Sequence, residues 1–157
     1  MRIPTFLPAV LLTAAFAAAQ CPFTGVAVSS YGQGCNPAFG DFQLPTVSAS
    51  LDATACTLDV DVSVFGGCCN TFAVGGLLVL GFQPVSVPLP FGGTCTLLAT
   101  PDVVLFLPSQ GPQSVAIPLP ASLPSIALYA QPGALYFTTI GLSYDFAFGA
   151  GAQLDLQ

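Results

Sequence analysis

CTLDVDVSVFGGCCN, Cys56 to Asn70, decides how the rest of the chain is read. Cys56, Leu58, Val60, Val62 and Val64 fall on one side of an extended strand, and Thr57, Asp59, Asp61 and Ser63 on the other. A two-residue period of this kind belongs to a sheet with one dry and one wet face. Gly66 and Gly67 then turn the chain into the Cys68, Cys69 doublet, so the clearest core strand starts and ends in candidate disulfide anchors.

Working outward, Val47, Ala49 and Leu51 alternate with Ser48, Ser50 and Asp52, a strand that turns through Ala53 to Ala55 into the 56 to 64 strand as a hairpin. Phe72 to Phe82 is apolar throughout apart from Gly75 and Gly76, as expected of a strand covered on both faces. VSVPLP (Val85 to Pro90) and VAIPLP (Val115 to Pro120) each place two prolines at i and i+2. The missing N–H groups therefore lie on one side, which cannot be laddered, and both phrases read as edge strands or strand ends. Cys95 to Pro108 reads as two short strands about the turn at Thr100 to Asp102. Ile126 to Ala130, Leu135 to Ile140, Leu142 to Phe148 and Gln153 to Leu156 supply closing strands. The last has no proline and is expected to offer an open edge.

No amphipathic helix follows residue 19. Some eight to ten strands with no βαβ alternation indicate an all-β protein, an antiparallel β-sandwich of jelly-roll or Ig-like kind, with a small β-barrel as the alternative. A transmembrane barrel is disfavoured because aromatic girdles are not evident.

Arg2, the apolar stretch Phe6 to Phe16 and Ala17 to Ala19 form a signal-peptide pattern with cleavage expected after Ala19. Gln20 before Cys21 is a poor fit to a lipoprotein site. The expected organisation is residues 1–19 as signal, 20–44 as a Cys-pinned loop region containing YGQGC, and 45–157 as the sandwich domain. The expected location is extracellular or at the cell surface.

Arg2 is the single basic residue, so the processed chain would hold seven Asp and no Lys, Arg, His, Glu or Trp. Such a chain cannot neutralise a phosphate backbone or dock electrostatically on anionic lipid, which excludes nucleic acid and charged membrane surfaces as partners. Mean hydropathy is +0.81 with 54% hydrophobic residues, yet prolines and glycines break every long apolar run before it could span a bilayer as a helix. Catalysis by Ser or Thr needs a base, and only Asp is on offer; neither a G-x-S-x-G elbow, an aspartic-protease signature, a P-loop nor a dinucleotide fingerprint occurs. No enzyme activity and no cofactor are expected.

Cys21, Cys35, Cys56, Cys68, Cys69 and Cys95 are an even set in an exported chain and read as structural bridges; the pattern is wrong for zinc. Adjacent Cys68 and Cys69 are expected to bond different partners, with Cys56 as one of them. Calcium is the one metal to weigh: Asp59 and Asp61 share a strand face that Asp52 could approach, against the simpler reading of a solvated sheet face. Tyr31, Tyr129, Tyr136 and Tyr144 could line a sugar-binding face, but their spacing suits core or rim packing better.

In order along the chain, YGQGC (Tyr31 to Cys35), PTVSAS (Pro45 to Ser50), LLVLG (Leu77 to Gly81), GTCTLLATPD (Gly93 to Asp102) and LYAQ (Leu128 to Gln131) resemble a recurrent, poorly characterised module of secreted bacterial proteins, often the C-terminal piece of larger exported chains. The resemblance implies a β-sandwich and lends no activity. The module's usual two cysteines match Cys35 and Cys95 and imply a bridge between them; Cys21, Cys56, Cys68 and Cys69 depart from its pattern. Fungal hydrophobins are similar in being small, secreted and apolar with Cys doublets, but they carry more cysteines and a second doublet, so only the physical analogy to a surface-active coat holds. The expected function is a secreted structural or adhesive protein acting by protein or surface contact, with self-association or other extracellular proteins as partners. A carbohydrate- or calcium-dependent binding module is the alternative.

Overall fold

The computed structural model describes residues 21–35, 43–66, 70–90, 95–107, 111–122 and 125–157. Among them are eleven strands: β1 (Val26–Tyr31), β2 (Thr46–Asp52), β3 (Thr57–Val64), β4 (Thr71–Gly81), β5 (Pro84–Pro88), β6 (Thr96–Ala99), β7 (Val103–Leu107), β8 (Gly111–Pro118), β9 (Ile126–Thr138), β10 (Ser143–Phe148) and β11 (Gly151–Leu156). They form a six-stranded sheet ordered β1-β11-β9-β4-β7 with β10 also on β9, a three-stranded sheet β2-β3-β8, and a two-stranded sheet β5-β6. Every pairing is antiparallel, and the sheets remain open, so the architecture is a sandwich and the barrel alternative falls away.

The alternation in 56 to 64 builds the sandwich. Leu58, Val60, Val62 and Val64 are wholly or almost wholly buried and face Leu78, Leu80, Tyr136 and Leu154 of the six-stranded sheet. Fully burying a side chain of this size stabilises by about 1.5–3 kcal/mol, so these four form a large part of what holds the two sheets together. Their neighbours Thr57, Asp59, Asp61 and Ser63 face outward. The hairpin partner is in register, Val47 on Val62 and Leu51 on Leu58, and Asp52 fixes the turn by accepting from the N–H groups of Thr54 (2.8 Å) and Ala55 (3.0 Å).

Only the second half of β4, Leu77 to Gly81, is covered on both sides as its apolar run implied; Phe72, Val74 and Phe82 are exposed, so the expectation of a strand covered on both faces from 72 to 82 is corrected. Leu78 and Leu80 face the three-stranded sheet, while Leu77 and Val79 face a second cluster with Cys35, Cys95, Ala99 and Phe148 beneath β5-β6. The molecule therefore has three layers where β5-β6 lies and two elsewhere. Both proline phrases end up at edges, β5 in the two-stranded sheet and β8 at the rim of the three-stranded one.

Four further expectations are corrected. Ile126 to Ala130 and Leu135 to Ile140 are one strand of 13 residues, β9, running through Pro132 and Gly133. Its partner on one side changes there from β11 to β10, and Pro132 uses its carbonyl to accept from Gly149 N (2.8 Å), so the missing N–H falls on that seam. Gly133 is needed there because a Cβ would lie 2.8 Å from Leu77 Cγ and 3.0 Å from Phe148 Cε1. Leu142 belongs to the turn before β10, at φ 50°, beside Gly141 at φ 85°. The closing strand is not an edge: β11 lies between β1 and β9, because Val26–Tyr31, inside the segment read as loop, forms β1 and pairs with it. Finally, Cys56 is bonded to Cys21 and not to the doublet; the hairpin turn brings their Cα atoms to 5.1 Å while Phe23 of the same segment is buried in the core. The second bridge joins Cys35 to Cys95, the pair implied by the resemblance. Cys68 and Cys69 lie outside the described residues, as does the expected signal segment.

Candidate interaction surface

The β5-β6 layer covers only part of the outer face of the six-stranded sheet. Gln131, wholly buried at the middle of β9, lies beneath that layer. The Gln131 side chain accepts from Leu98 N (2.8 Å) through Oε1 and donates through Nε2 to Thr96 O (3.0 Å) and Gly149 O (3.3 Å). A fully satisfied buried amide thus docks β6 onto the sheet at one place. Tyr31 adds a second tie, its hydroxyl donating to Leu98 O (2.7 Å) while its ring meets Tyr129 edge-on at 5.8 Å.

Beyond that layer the sheet face is bare and apolar. The register lines up Phe72 of β4, Phe137 of β9 and Tyr144 of β10 in one cross-strand row, and Gly75, Leu135 and Phe146 in the next; the row after that starts at the exposed Phe106 and passes through Leu77 and Gly133 to Phe148, already buried under β5-β6. Phe137 and Tyr144 rings lie 5.0 Å apart, and Phe146 stacks towards Phe148 at 6.4 Å. Phe72 is 50% exposed, Tyr144 64% and Phe106 82%, values that leave each ring largely in water. Ile140 and Leu142 continue the patch onto the β9–β10 turn, both more than two-thirds exposed.

A trough of about 300 Å³ runs through this face, lined by Val74, Gly75, Gly76, Leu77, Phe106, Leu107, Leu135 and Phe146. Its floor is low because β4 carries paired glycines at an irregularity in its register with β9, between Ala73 and Gly75. All the lining residues are apolar. The trough can exclude water from an apolar group, but it offers no side-chain acid, base, nucleophile or hydrogen-bond donor.

The four tyrosines do not gather. Tyr136 faces the core, its hydroxyl donating to Phe65 O (3.0 Å), Tyr31 and Tyr129 sit under β6, and Tyr144 alone joins the bare face. Burial, with the nearby Tyr129 as a smaller contribution, pushes the Tyr31 hydroxyl up to about 12. The folded state thus favours the neutral phenol more than the unfolded chain does, near 10, and this contribution is complete below about pH 10 and lost as pH rises through about 12. Urea unfolding of the wild type is expected to weaken across that alkaline window; Tyr31→Phe, which cannot ionise, should flatten the decline, and an unchanged slope would count against the assignment.

Asp52, Asp59 and Asp61 share the outer face of the three-stranded sheet, where the register sets Ser50 and Ser48 opposite Asp59 and Asp61. The Asp52 carboxylate is engaged by its turn. Among the described residues, no three His, Cys, Asp or Glu side chains are grouped to hold a metal ion. Asp102 is held below the usual carboxylate range by hydrogen bonds from Thr100 Oγ1 (2.7 Å) and Phe82 N (2.9 Å), a turn-fixing role.

The apolar face itself escaped the sequence reading, although Tyr144, Phe146 and Phe148 alternate as plainly as the valines of β3. What was missing was which side of β10 remains uncovered. The fold and this face define a disulfide-bonded antiparallel β-sandwich with an exposed aromatic surface. Compared with protein-family models, curated proteins and solved structures, the chain matches none.

Proposed function

We propose that this chain is a secreted, non-catalytic structural or adhesive protein that works by apolar surface contact in an extracellular layer or fibre. The observation that carries the reading is the row of exposed Phe72 and Tyr144 about the half-buried Phe137, with the exposed Phe106 on the same face and no charged side chain among the trough residues. Contiguous exposed apolar surface of this kind marks contact sites in soluble proteins. A sugar-binding platform would need polar groups around the rings to orient hydroxyls, and the trough has none; this favours contact with apolar surfaces over the carbohydrate reading.

Two disulfides, and the lack of any helix among the described residues long and apolar enough to cross a membrane, fit an exported protein. Export with cleavage after Ala19 makes a sharp prediction, since the remaining chain contains neither Lys nor Arg. Trypsin should leave the reduced, unfolded, secreted protein intact, and its mass should begin at Gln20. A secreted product that retains Arg2 would contradict the processing.

Surface contact itself is tested by adsorption and sedimentation of the secreted chain across salt concentrations. Because the contact is apolar, adsorption or self-association at micromolar concentration is expected to depend only weakly on salt. A monodisperse monomer without surface activity would overturn the reading.

A further inference from the structure

We propose that β7 is the edge at which a second copy of this chain joins the six-stranded sheet, in an antiparallel pair centred on Leu105. The proposal rests on the surface-contact reading above and says where contact between copies is made.

The sheet edges are not alike. β8 carries Pro112 and Pro118, β5 carries Pro84 and Pro88, and β2 carries Ser48, Ser50 and Asp52, devices that discourage a new strand from pairing. At the other edges of the six-stranded sheet, β1 includes Ser29 and Ser30, and β10 includes Ser143 and Asp145. β7 reads VVLFL, with neither proline, glycine, polar residue nor charge. It pairs with β4 on one side, and among the described residues no strand pairs with the other. Val103 and Val104 are nearly half exposed and Phe106 is 82% exposed.

The unpaired backbone groups of an edge strand are satisfied together only by another extended strand, which fixes the occupant as a strand. Two features make a second copy the fit. A two-fold axis through Leu105 sets Val104 against Phe106 of the second copy on the bare face, and Val103 against Leu107 on the core side, pairing β-branched with aromatic or aliphatic residues. Phe106 of each copy would then continue the other's apolar face. Charge does not oppose the pair, although the chain's acidic groups are all Asp. Along β7 there is none to repel; Asp102, the nearest in sequence, lies outside the paired segment and is turned back onto Thr100 and Phe82. A strand of 5 residues gives a contact smaller than that of stable dimers, so dissociation at about micromolar concentration is expected.

The test is sedimentation velocity of the secreted chain from about 1 to 100 µM, bracketing that affinity, with hydrogen exchange at both ends of the range. Expected is a concentration-dependent dimer whose amides at 103–107 gain protection only at the high end. Val104→Asp with Phe106→Asp sets carboxylates against each other across the pair and should weaken the dimer at least about tenfold. Ser29→Asp, exposed on β1 at the opposite edge of the sheet, should leave it unchanged. Should the double variant misfold, the wild-type exchange pattern decides. A dimer that survives the double variant folded, or lacks protection at 103–107, overturns β7 pairing while surface contact stands; so does a monomer that still adsorbs. A monomer that does not adsorb removes both.

Discussion

Replacing Cys35 and Cys95 together by alanine is expected to destabilise the protein by about 4 kcal/mol, the chain-entropy value for a bridge spanning 60 residues. That is a large share of the roughly 5–15 kcal/mol that holds a domain of this kind. The loss should also be local. Cys95 is 1% exposed at the entry to β6, and Cys35 exchanges backbone hydrogen bonds with Phe148 at 2.8 and 3.2 Å. The bond therefore ties the outer layer, through residue 35, to the end of β10. Denaturant midpoints should fall, and hydrogen exchange should quicken first in 84–99. A uniform acceleration across β3 and β11 with no excess at β5-β6 would show that the bridge does not hold this layer specifically.

Gln131→Leu is expected to be nearly as damaging despite keeping the side chain's approximate volume. Leu98 N and the carbonyls of Thr96 and Gly149 would lose their partner in a buried place, at about 1–3 kcal/mol for each group left without a replacement. The core proper, built from Val60, Val62, Leu78 and Leu154, would be untouched. Thermal melting should therefore show a lowered midpoint, and β6 amides should exchange well below the global stability. Gln131→Glu separates geometry from chemistry: it keeps an acceptor for Leu98 N but loses the donor, so it too should destabilise. Wild-type stability in Gln131→Leu would mean that water or a neighbouring group replaces the amide.

Alternation was readable wherever one face of a strand meets the core and the other meets water. Val47, Ala49, Leu51 and Leu58 to Val64 therefore showed both their strands and their hairpin, while the continuous run in β4 showed a strand buried twice only over Leu77 to Gly81 and hid the exposed Phe72 and Val74. Proline was a less certain guide. In 85–90 and 115–120 it marked edges correctly, but Pro132 sits inside the most central strand, because its missing N–H falls where β11 gives way to β10. Nothing local to Gln131-Pro132-Gly133 distinguishes such a seam from a turn. The Cys21–Cys56 bridge was hidden for a related reason: it depends on the N-terminal segment tucking Phe23 into the core and on β1 pairing with β11, contacts between the two ends of the chain. The aromatic face was hidden most completely. Phe72 and Phe106 are joined by the β4–β7 pairing and reach Tyr144 only through β9, and whether a ring packs or faces water depends on how far β5-β6 reaches over the sheet.

The dynamic interfacial tension of a micromolar solution of the secreted protein tests the role of that face most directly, measured beside the triple variant Phe72→Ser, Phe106→Ser, Tyr144→Ser. These side chains are at least half exposed, so the variant should fold with nearly wild-type stability. The wild type should lower the tension at an air–water or oil–water interface within minutes and with little response to salt, and the variant should do so far more weakly. Equal activity in a folded variant, or none in the wild type, would contradict a protein that works through this surface.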